Sequence, residues 1–179
     1  MRTRMKKLMP VLMVAVLLAI SAVPALAAPP GPTIVDVAIA VNSEGPYAGA
    51  FDTLIAAVLA ADPAVLATLS GNGQFTVFAP TDDAFAALGL NPSNIGTLDK
   101  GFLTAVLLYH VAPGRRYAED VLMSERIRTL LKGKKGFLMQ DGGVLTDNLG
   151  REANIIVTDV EAANGIIHAI DAVVLPYAP

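Results

Sequence analysis

Two consecutive carboxylates, Asp82 and Asp83, are the first residues in this chain whose types could support chemistry. Paired carboxylates can act as general acid and general base when their environments push their pKa values apart. Here they directly follow Thr81, where a predicted strand ends and a predicted helix begins. A threonine hydroxyl caps free helix amides at such a position, and the helix dipole favours negative charge in the first turn. We therefore predict that these carboxylates stabilise a helix and do not catalyse a reaction.

The two histidines, His110 and His168, are the next candidates, because imidazole is a common metal ligand. His110 ends a predicted helix, where an imidazolium would favour the helix dipole, but a neutral ring could equally bond helix to sheet. His168 lies within a predicted strand. The two are far apart in sequence and no third ligand is evident, so we predict structural roles, no metal site and no cofactor. Asp171 is expected to bond to backbone or to a neighbouring hydroxyl.

Motifs of known enzyme classes are missing from the sequence. It contains no cysteine, no G-x-S-x-G and no H-E-x-x-H. The glycines at positions 71 and 73 lack a third glycine at position 76 and precede a predicted strand, unlike a dinucleotide-binding loop. We predict that the chain is not an enzyme.

One short segment concentrates positive charge in a chain that is otherwise acidic. Its five basic residues are Arg126, Arg128, Lys132, Lys134 and Lys135. The favoured interpretation is a solvated hairpin whose charges guard an edge strand against pairing with other chains. The alternative is a contact with an anionic polymer or membrane surface through a local positive field.

The first 27 residues have the pattern of a secretory signal peptide. Basic residues precede an apolar run from Val11 to Ile20, and the Ala-Leu-Ala triplet at 25–27 forms a cleavage pattern. An uncleaved anchor helix is the rival interpretation, but the wider apolar run from Leu8 to Val23 is interrupted by Pro10 and is short for a span of about 20 residues. We predict cleavage after Ala27, which leaves a secreted or periplasmic protein without a stable membrane span. A Pro-rich lead-in follows at 28–32.

The net charge of the residues that follow the leader argues against a nucleic-acid partner. Four of the thirteen basic residues lie in the leader, which leaves nine against sixteen acidic residues, a net charge of about −7. General nucleic-acid binding depends on neutralising phosphates, so we predict no nucleic-acid partner. About 150 residues can bury a sufficient core without disulfides, as a single domain.

Helical periodicity dominates the first half of that domain and strand periodicity the second, which is an α+β pattern. The predicted helices start at Ile34, cover 51–61 and 63–69, start again after Thr81, and run from Asp99 to Tyr109. The predicted strands cover 74–79, 137–140, 144–146, 154–160, 166–170 and 172–175. Asn164-Gly165 is predicted to form a hairpin turn with positive φ at both positions.

Three boxes occur in a fixed order: TVFAPTDDAF at 76–85, LLYHV at 107–111 and NGIIHAIDAVVLP at 164–176. With these boxes, residues 33–177 resemble the fasciclin-like domain family. The resemblance implies a wedge-shaped β-sandwich with helices packed mostly from the N-terminal half, and extracellular roles in adhesion or matrix contact. The motif residues, for which we predict mainly structural roles, are Thr76, Phe78, Pro80, Thr81, Asp82, Phe85, Tyr109, His110, Asn164, Gly165, His168, Asp171 and Pro176.

Two functions are compatible with these features. The first is a secreted, non-catalytic interaction module for cell-surface or matrix adhesion, with a surface or matrix protein or polysaccharide as its partner. The alternative is a carrier of an apolar small molecule such as a lipid or pigment. Its cleft would be lined by groups such as Leu103, Val106, Leu107, Tyr109 and Ile167.

Overall fold

The computed structural model describes residues 29–179. The predicted signal peptide lies outside the described residues, so its cleavage stays a prediction. Within residues 29–179 the chain forms six α-helices and a single 3₁₀ turn at Ile95–Thr97. The helices are α1 (Ile34–Ser43), α2 (Asp52–Ala60), α3 (Pro63–Leu69), α4 (Asp82–Ala86), α5 (Lys100–Tyr109) and α6 (Ala118–Leu122).

Seven strands form one sheet in the order β2-β1-β7-β6-β5-β4-β3. The strands are β1 (Phe75–Pro80), β2 (Val111–Pro113), β3 (Arg126–Arg128), β4 (Phe137–Asp141), β5 (Val144–Thr146), β6 (Glu152–Ala162) and β7 (Gly165–Ile170). β1 and β7 are parallel, and every other neighbouring pair is antiparallel. The predicted α+β class is confirmed.

Local capping explains why most helices start where they do. Thr33 and Asp36 form a reciprocal capping box at α1. Asp62 caps α3 with Pro63 at its first position, and Asp99 caps α5 through the amide of Phe102. Each such cap contributes about 1 kcal/mol to helix stability.

Two hydrophobic cores lie on opposite faces of the sheet, because side chains alternate along each strand. On one face, Val77 and Ile167 pack against the helices of the N-terminal half. On the other face, Phe78 of β1 shares a core with Ile127 and Leu138 from the far edge of the sheet. The two ends of the sheet therefore approach each other across this second core. The predicted sandwich is a single curled sheet that does not close.

Residues 172–175 were predicted as a strand, and this prediction is wrong. Residues 173–175 are buried without strand pairing, and distant side chains bond two of the segment's amides. Val174 N donates to His110 Nε2 and Leu175 N donates to Asp147 Oδ2. The short elements β2 and α6 were not predicted, since three to five residues show little periodicity. β3 is the edge strand of the hairpin expected for the basic segment, for which no bounds were predicted.

Among residues 29–179, no single helix is long and apolar enough to cross a membrane. α2 and α3 would meet the length and composition requirements only as a pair, and they are bent by 120°.

Candidate functional site

The first box places Thr76 at a connection between strands and helix. Its Oγ1 donates to Gly114 O at 2.8 Å and accepts from Arg116 N at 2.9 Å. Thr76 is completely buried, and the bonds fix the chain that leaves β2 toward α6. Its hydroxyl is therefore fully used within the fold. The box's other buried members, Phe78 and Phe85, belong to the two cores, and Pro80 ends β1.

The carboxylate of Asp82 caps a helix other than its own. Thr81 caps α4, as predicted, by accepting from Ala84 N. α2 has no side-chain cap of its own, and Asp82 Oδ1 accepts from Thr53 N near its start at 2.8 Å. Asp83 is exposed. The structure thus joins Asp82 to a segment 29 residues earlier and does not pair the two carboxylates over a common site.

The second box supplies two buried side chains at the end of α5. Tyr109 is completely buried and its hydroxyl donates to Phe137 O at 2.7 Å. Burial raises the Tyr109 pKa well above its ordinary value, so the phenol stays a hydrogen-bond donor. His110 is 2% exposed, with Nδ1 at 2.8 Å from Val106 O and Nε2 accepting from Val174 N at 3.3 Å. Neither side chain is accessible to a partner.

The bonding pattern assigns His110 as a neutral ring. A carbonyl can only accept and a backbone amide can only donate, so Nδ1 carries the proton and Nε2 does not. Burial lowers the His110 pKa to about 4, even though the bond to Val106 O acts in the opposite direction. Of the two expected roles, the neutral link between α5 and the following segments is the one observed.

His168 repeats this arrangement in β7. Its Nε2 lies 3.0 Å from Arg116 O, and its Nδ1 accepts from Asp159 N at 3.3 Å. The ring stacks on Phe78 with centroids 5.8 Å apart. Burial lowers the His168 pKa from its ordinary value. Asp159 has a φ of 61° beside an irregularity in β6, and its carboxylate accepts from Ala118 N at the start of α6.

Asn164 joins three segments from the centre of the third box. Its Oδ1 accepts from Ile34 N at 2.7 Å, and its Nδ2 donates to Leu69 O at 2.7 Å and Gly71 O at 2.8 Å. Asn164 is completely buried. The side chain therefore satisfies the first amide of α1 and the last carbonyl of α3, groups that helix geometry leaves without partners.

The predicted turn geometry at Asn164-Gly165 is wrong. Asp159 is the one non-glycine residue with positive φ within residues 29–179, and Gly165 is not left-handed either. β7 begins at Gly165, so the turn is centred one residue earlier. Position 165 requires glycine because the backbone of β1 lies too close for a side chain: a Cβ there would lie 2.1 Å from Phe75 O.

The end of the third box is held by the Asp171 carboxylate and by the Asn148 side-chain amide. Asp171 accepts from Asn154 N at 2.7 Å and Asn154 Nδ2 at 2.8 Å, so its partners are a backbone and an amide group, not a hydroxyl. Pro176 is buried and its carbonyl accepts from Asn148 Nδ2. Both contacts hold the C-terminal segment against β6 and the turn that follows β5.

Sequence reasoning missed the ion pair between the buried Asp147 carboxylate and the half-buried Arg151. Asp147 Oδ2 accepts from Arg151 Nε and Nη2 and from Leu175 N, and Oδ1 accepts from Leu149 N. Burial alone would raise the Asp147 pKa, but these hydrogen bonds outweigh it and the pKa lies below its ordinary value. An exposed-looking turn sequence gave no signal of this burial.

The motif residues therefore link many parts of the fold and do not converge on one reaction centre. Across residues 29–179 the structure contains no group of three or more His, Cys, Asp or Glu side chains that could hold a metal ion. His110 and His168 each use both ring nitrogens on backbone groups.

The family model of the Fasciclin domain matches residues 49–176. This chain belongs to the fasciclin domain family. Protein sll1483 of Synechocystis sp. is 44% identical over 128 residues, which cover 70% of this chain and 67% of that protein. Transforming growth factor-beta-induced protein ig-h3 of Sus scrofa is 32% identical over 155 residues, covering 84% of this chain but only 20% of that protein.

A solved structure of a FAS1 domain pair from the insect cell adhesion molecule fasciclin I shares the fold. Its TM-score is 0.53 at 20% identity, and the match covers 70% of this chain and 45% of that chain. The fasciclin-like fold expected from the three boxes is thereby confirmed.

Two apolar grooves of this fasciclin domain, within residues 29–179, contain residues of the expected cleft and have volumes above 100 Å³. The helix groove lies between α1, α2 and the sheet, has a volume of about 140 Å³, and includes Leu107 and Ile167 in its wall. The C-terminal groove has a volume of about 340 Å³ and includes Leu103 and Val106. The expected cleft residues are thus divided between two grooves, and Tyr109 belongs to the second core instead. The prediction of a single cleft lined by all five residues is therefore wrong.

Five of the nine basic residues that follow the leader are exposed within one ten-residue segment, here named the basic face (Arg126, Arg128, Lys132, Lys134 and Lys135). The two arginines lie on β3, which is an edge strand of the sheet. The three lysines lie in the loop between β3 and β4. None of the five side chains belongs to the three boxes, although the loop bonds to the second box through Leu130 N and Val111 O.

Proposed function

We propose that this fasciclin domain is an exported, non-catalytic interaction module that attaches its host cell to a surface or matrix component. The observation that carries this proposal is that the polar motif side chains bond within the fold. The polar groups of Thr76, His110, Asn164 and His168 are bonded to the chain's own backbone. They support the fold, which leaves the outer surface for recognition.

Two further observations support attachment as the function. The leader at 1–27 has the pattern of a signal peptide, which would deliver the domain outside the cytoplasm, to the periplasm or the medium. A protein of the same fold comes from an insect cell adhesion molecule. Contacts of a single small domain are modest, so attachment would depend on many copies acting together.

Removal of the gene from its host tests the proposal. We expect the deletion strain to attach to solid supports and to aggregate less than the parent, and the full chain supplied in trans to restore both. The control is complementation with a version lacking residues 1–27, which should restore neither because it is not exported. Unchanged attachment and aggregation in the deletion strain would overturn the proposal.

A carrier of an apolar small molecule is the second candidate, and the two grooves favour it. Small-molecule sites commonly have volumes of about 300–1,000 Å³, and the C-terminal groove, at about 340 Å³, lies in this range. The helix groove, at about 140 Å³, is close to a cavity that accepts a benzene-sized molecule. Ile39 and Leu59 lie exposed near its opening.

A further inference from the structure

The loop that carries the lysines is held in a defined conformation. Beyond β3, Thr129 N donates to Gly136 O at 2.9 Å and Leu130 N donates to Val111 O at 2.7 Å. Gly136 packs so closely that a Cβ there would lie 1.8 Å from Leu131 O. The lysines thus project from a tight loop that is closed at both ends, and binding would require little additional ordering of the backbone.

The two arginines share one aromatic ring. The guanidinium carbon of Arg126 lies 3.6 Å from the centroid of Phe137, and that of Arg128 lies 4.9 Å from it. Alternation along β3 places both side chains on the same face. Stacking uses the flat face of a guanidinium and leaves its N–H edge available for carboxylate, sulfate or phosphate oxygens.

No acidic side chain among the described residues forms an ion pair with the basic face. Asp147–Arg151 is the one salt bridge within residues 29–179, and no side chain of the basic face forms a hydrogen bond or ion pair there. Five of the nine basic residues that follow the leader lie in this ten-residue segment. Its positive field is therefore local, on a domain whose net charge is negative.

We propose that the basic face binds a linear anionic polysaccharide bearing sulfate or carboxylate groups. The inference rests on the proposed function, because it names the partner chemistry of the attachment. A thin polymer contacts only the strip formed by β3 and the following loop. An extended anionic membrane would also face the acidic remainder of the domain, which it would repel.

Single-stranded nucleic acid fits this surface less well than a polysaccharide. Proteins that bind it combine positive charge with open aromatic rings on which bases stack. On this face the ring of Phe137 is covered by two guanidinium groups, and Lys135 Nζ lies 4.7 Å from the centroid of the Tyr177 ring. Sugar sulfates and carboxylates need only the cations.

Binding of the full chain to immobilised heparin, measured against salt concentration, tests the inference. We expect the triple variant Lys132→Gln, Lys134→Gln, Lys135→Gln to bind about tenfold or more weakly. Each exposed ion contact raises the affinity about two- to threefold, and the three factors multiply. Adding Arg126→Gln and Arg128→Gln should abolish retention. Two single variants provide a matched comparison, because each removes one exposed lysine. Lys134→Gln should weaken heparin binding, whereas the control Lys100→Gln should leave it unchanged.

Several outcomes would overturn the inference. These are equal binding by the parent and the five-residue variant, equal effects of the two single-lysine variants, or tighter binding of the parent to phosphatidylserine vesicles or oligo(dT) than to heparin. If the five-residue variant self-associates but still binds heparin, the charges serve to prevent the edge strand from pairing with other chains. The five-residue variant in the host separates the two proposals. If it loses heparin binding but still restores attachment, the basic face is not the attachment surface: the inference then fails and the proposed function stands.

Discussion

Replacement of Asn164 by alanine should destabilise the domain more than removal of any exposed amide. The change leaves Ile34 N, Leu69 O and Gly71 O without their side-chain partner. A buried group without a partner costs about 1–3 kcal/mol, so three such groups predict a loss of about 3–9 kcal/mol. Domains of this size are stable by only about 5–15 kcal/mol, so the variant should be close to unfolding at room temperature. Urea denaturation followed by circular dichroism measures the loss.

The matched control is Asn148→Ala. The Asn148 amide also donates to two carbonyls, Lys135 O and Pro176 O, but the residue is exposed. Water can replace these bonds, so we expect a loss of about 1 kcal/mol or less. If the two variants were equally stable, the joining role assigned to Asn164 would be wrong.

Acidification from pH 6.5 to pH 4 should destabilise the domain through its buried histidines. Burial lowers the His110 pKa to about 4 and lowers that of His168 in the same direction. An unfolded histidine has a pKa of about 6.5, so in this window the unfolded chain binds protons that the folded chain does not. Stability is therefore complete above about pH 6.5 and falls as the pH decreases, by about 3 kcal/mol for His110 alone.

The His110→Asn variant isolates that contribution. Asparagine retains a donor near Val106 O but does not titrate, and it loses the bond from Val174 N. We expect lower stability at pH 7 and a flatter pH dependence between pH 6.5 and pH 4 in urea denaturation series. Asp147 acts in a separate window: its lowered pKa supplies stability that is lost only below its ordinary value of 3.8. An unchanged slope in the variant would contradict the assignment of this window to His110.

The helices with local start signals were predictable from sequence. Asp62-Pro63, Thr81 and Asp99 carry capping chemistry within their own first turn, and the structure uses each as predicted. For residues 172–175, local sequence patterns gave the wrong secondary structure. Their apolar, β-branched sequence is typical of a strand, but distant side chains take their backbone amides.

The motif residues show the same limit at the level of single side chains. That Asp82 would be structural follows from its position after Thr81, but the helix it caps is brought to it by tertiary packing. The roles of Asn164 and Gly165 likewise depend on how closely α1 and β1 approach β7, which a turn signature does not encode. The concentration of charge on the basic face was visible in sequence, whereas the shared Phe137 ring beneath the arginines was not.

Native mass spectrometry with solvent extraction, on protein purified from the envelope or medium of its own host, tests most directly whether the chain acts through its surface. If it is an interaction module, the mass should be that of the polypeptide alone and the extract should contain no stoichiometric apolar compound. A stoichiometric lipid or pigment, lost when a leucine of the helix groove or the C-terminal groove is replaced by a charged residue, would contradict this and establish the carrier function.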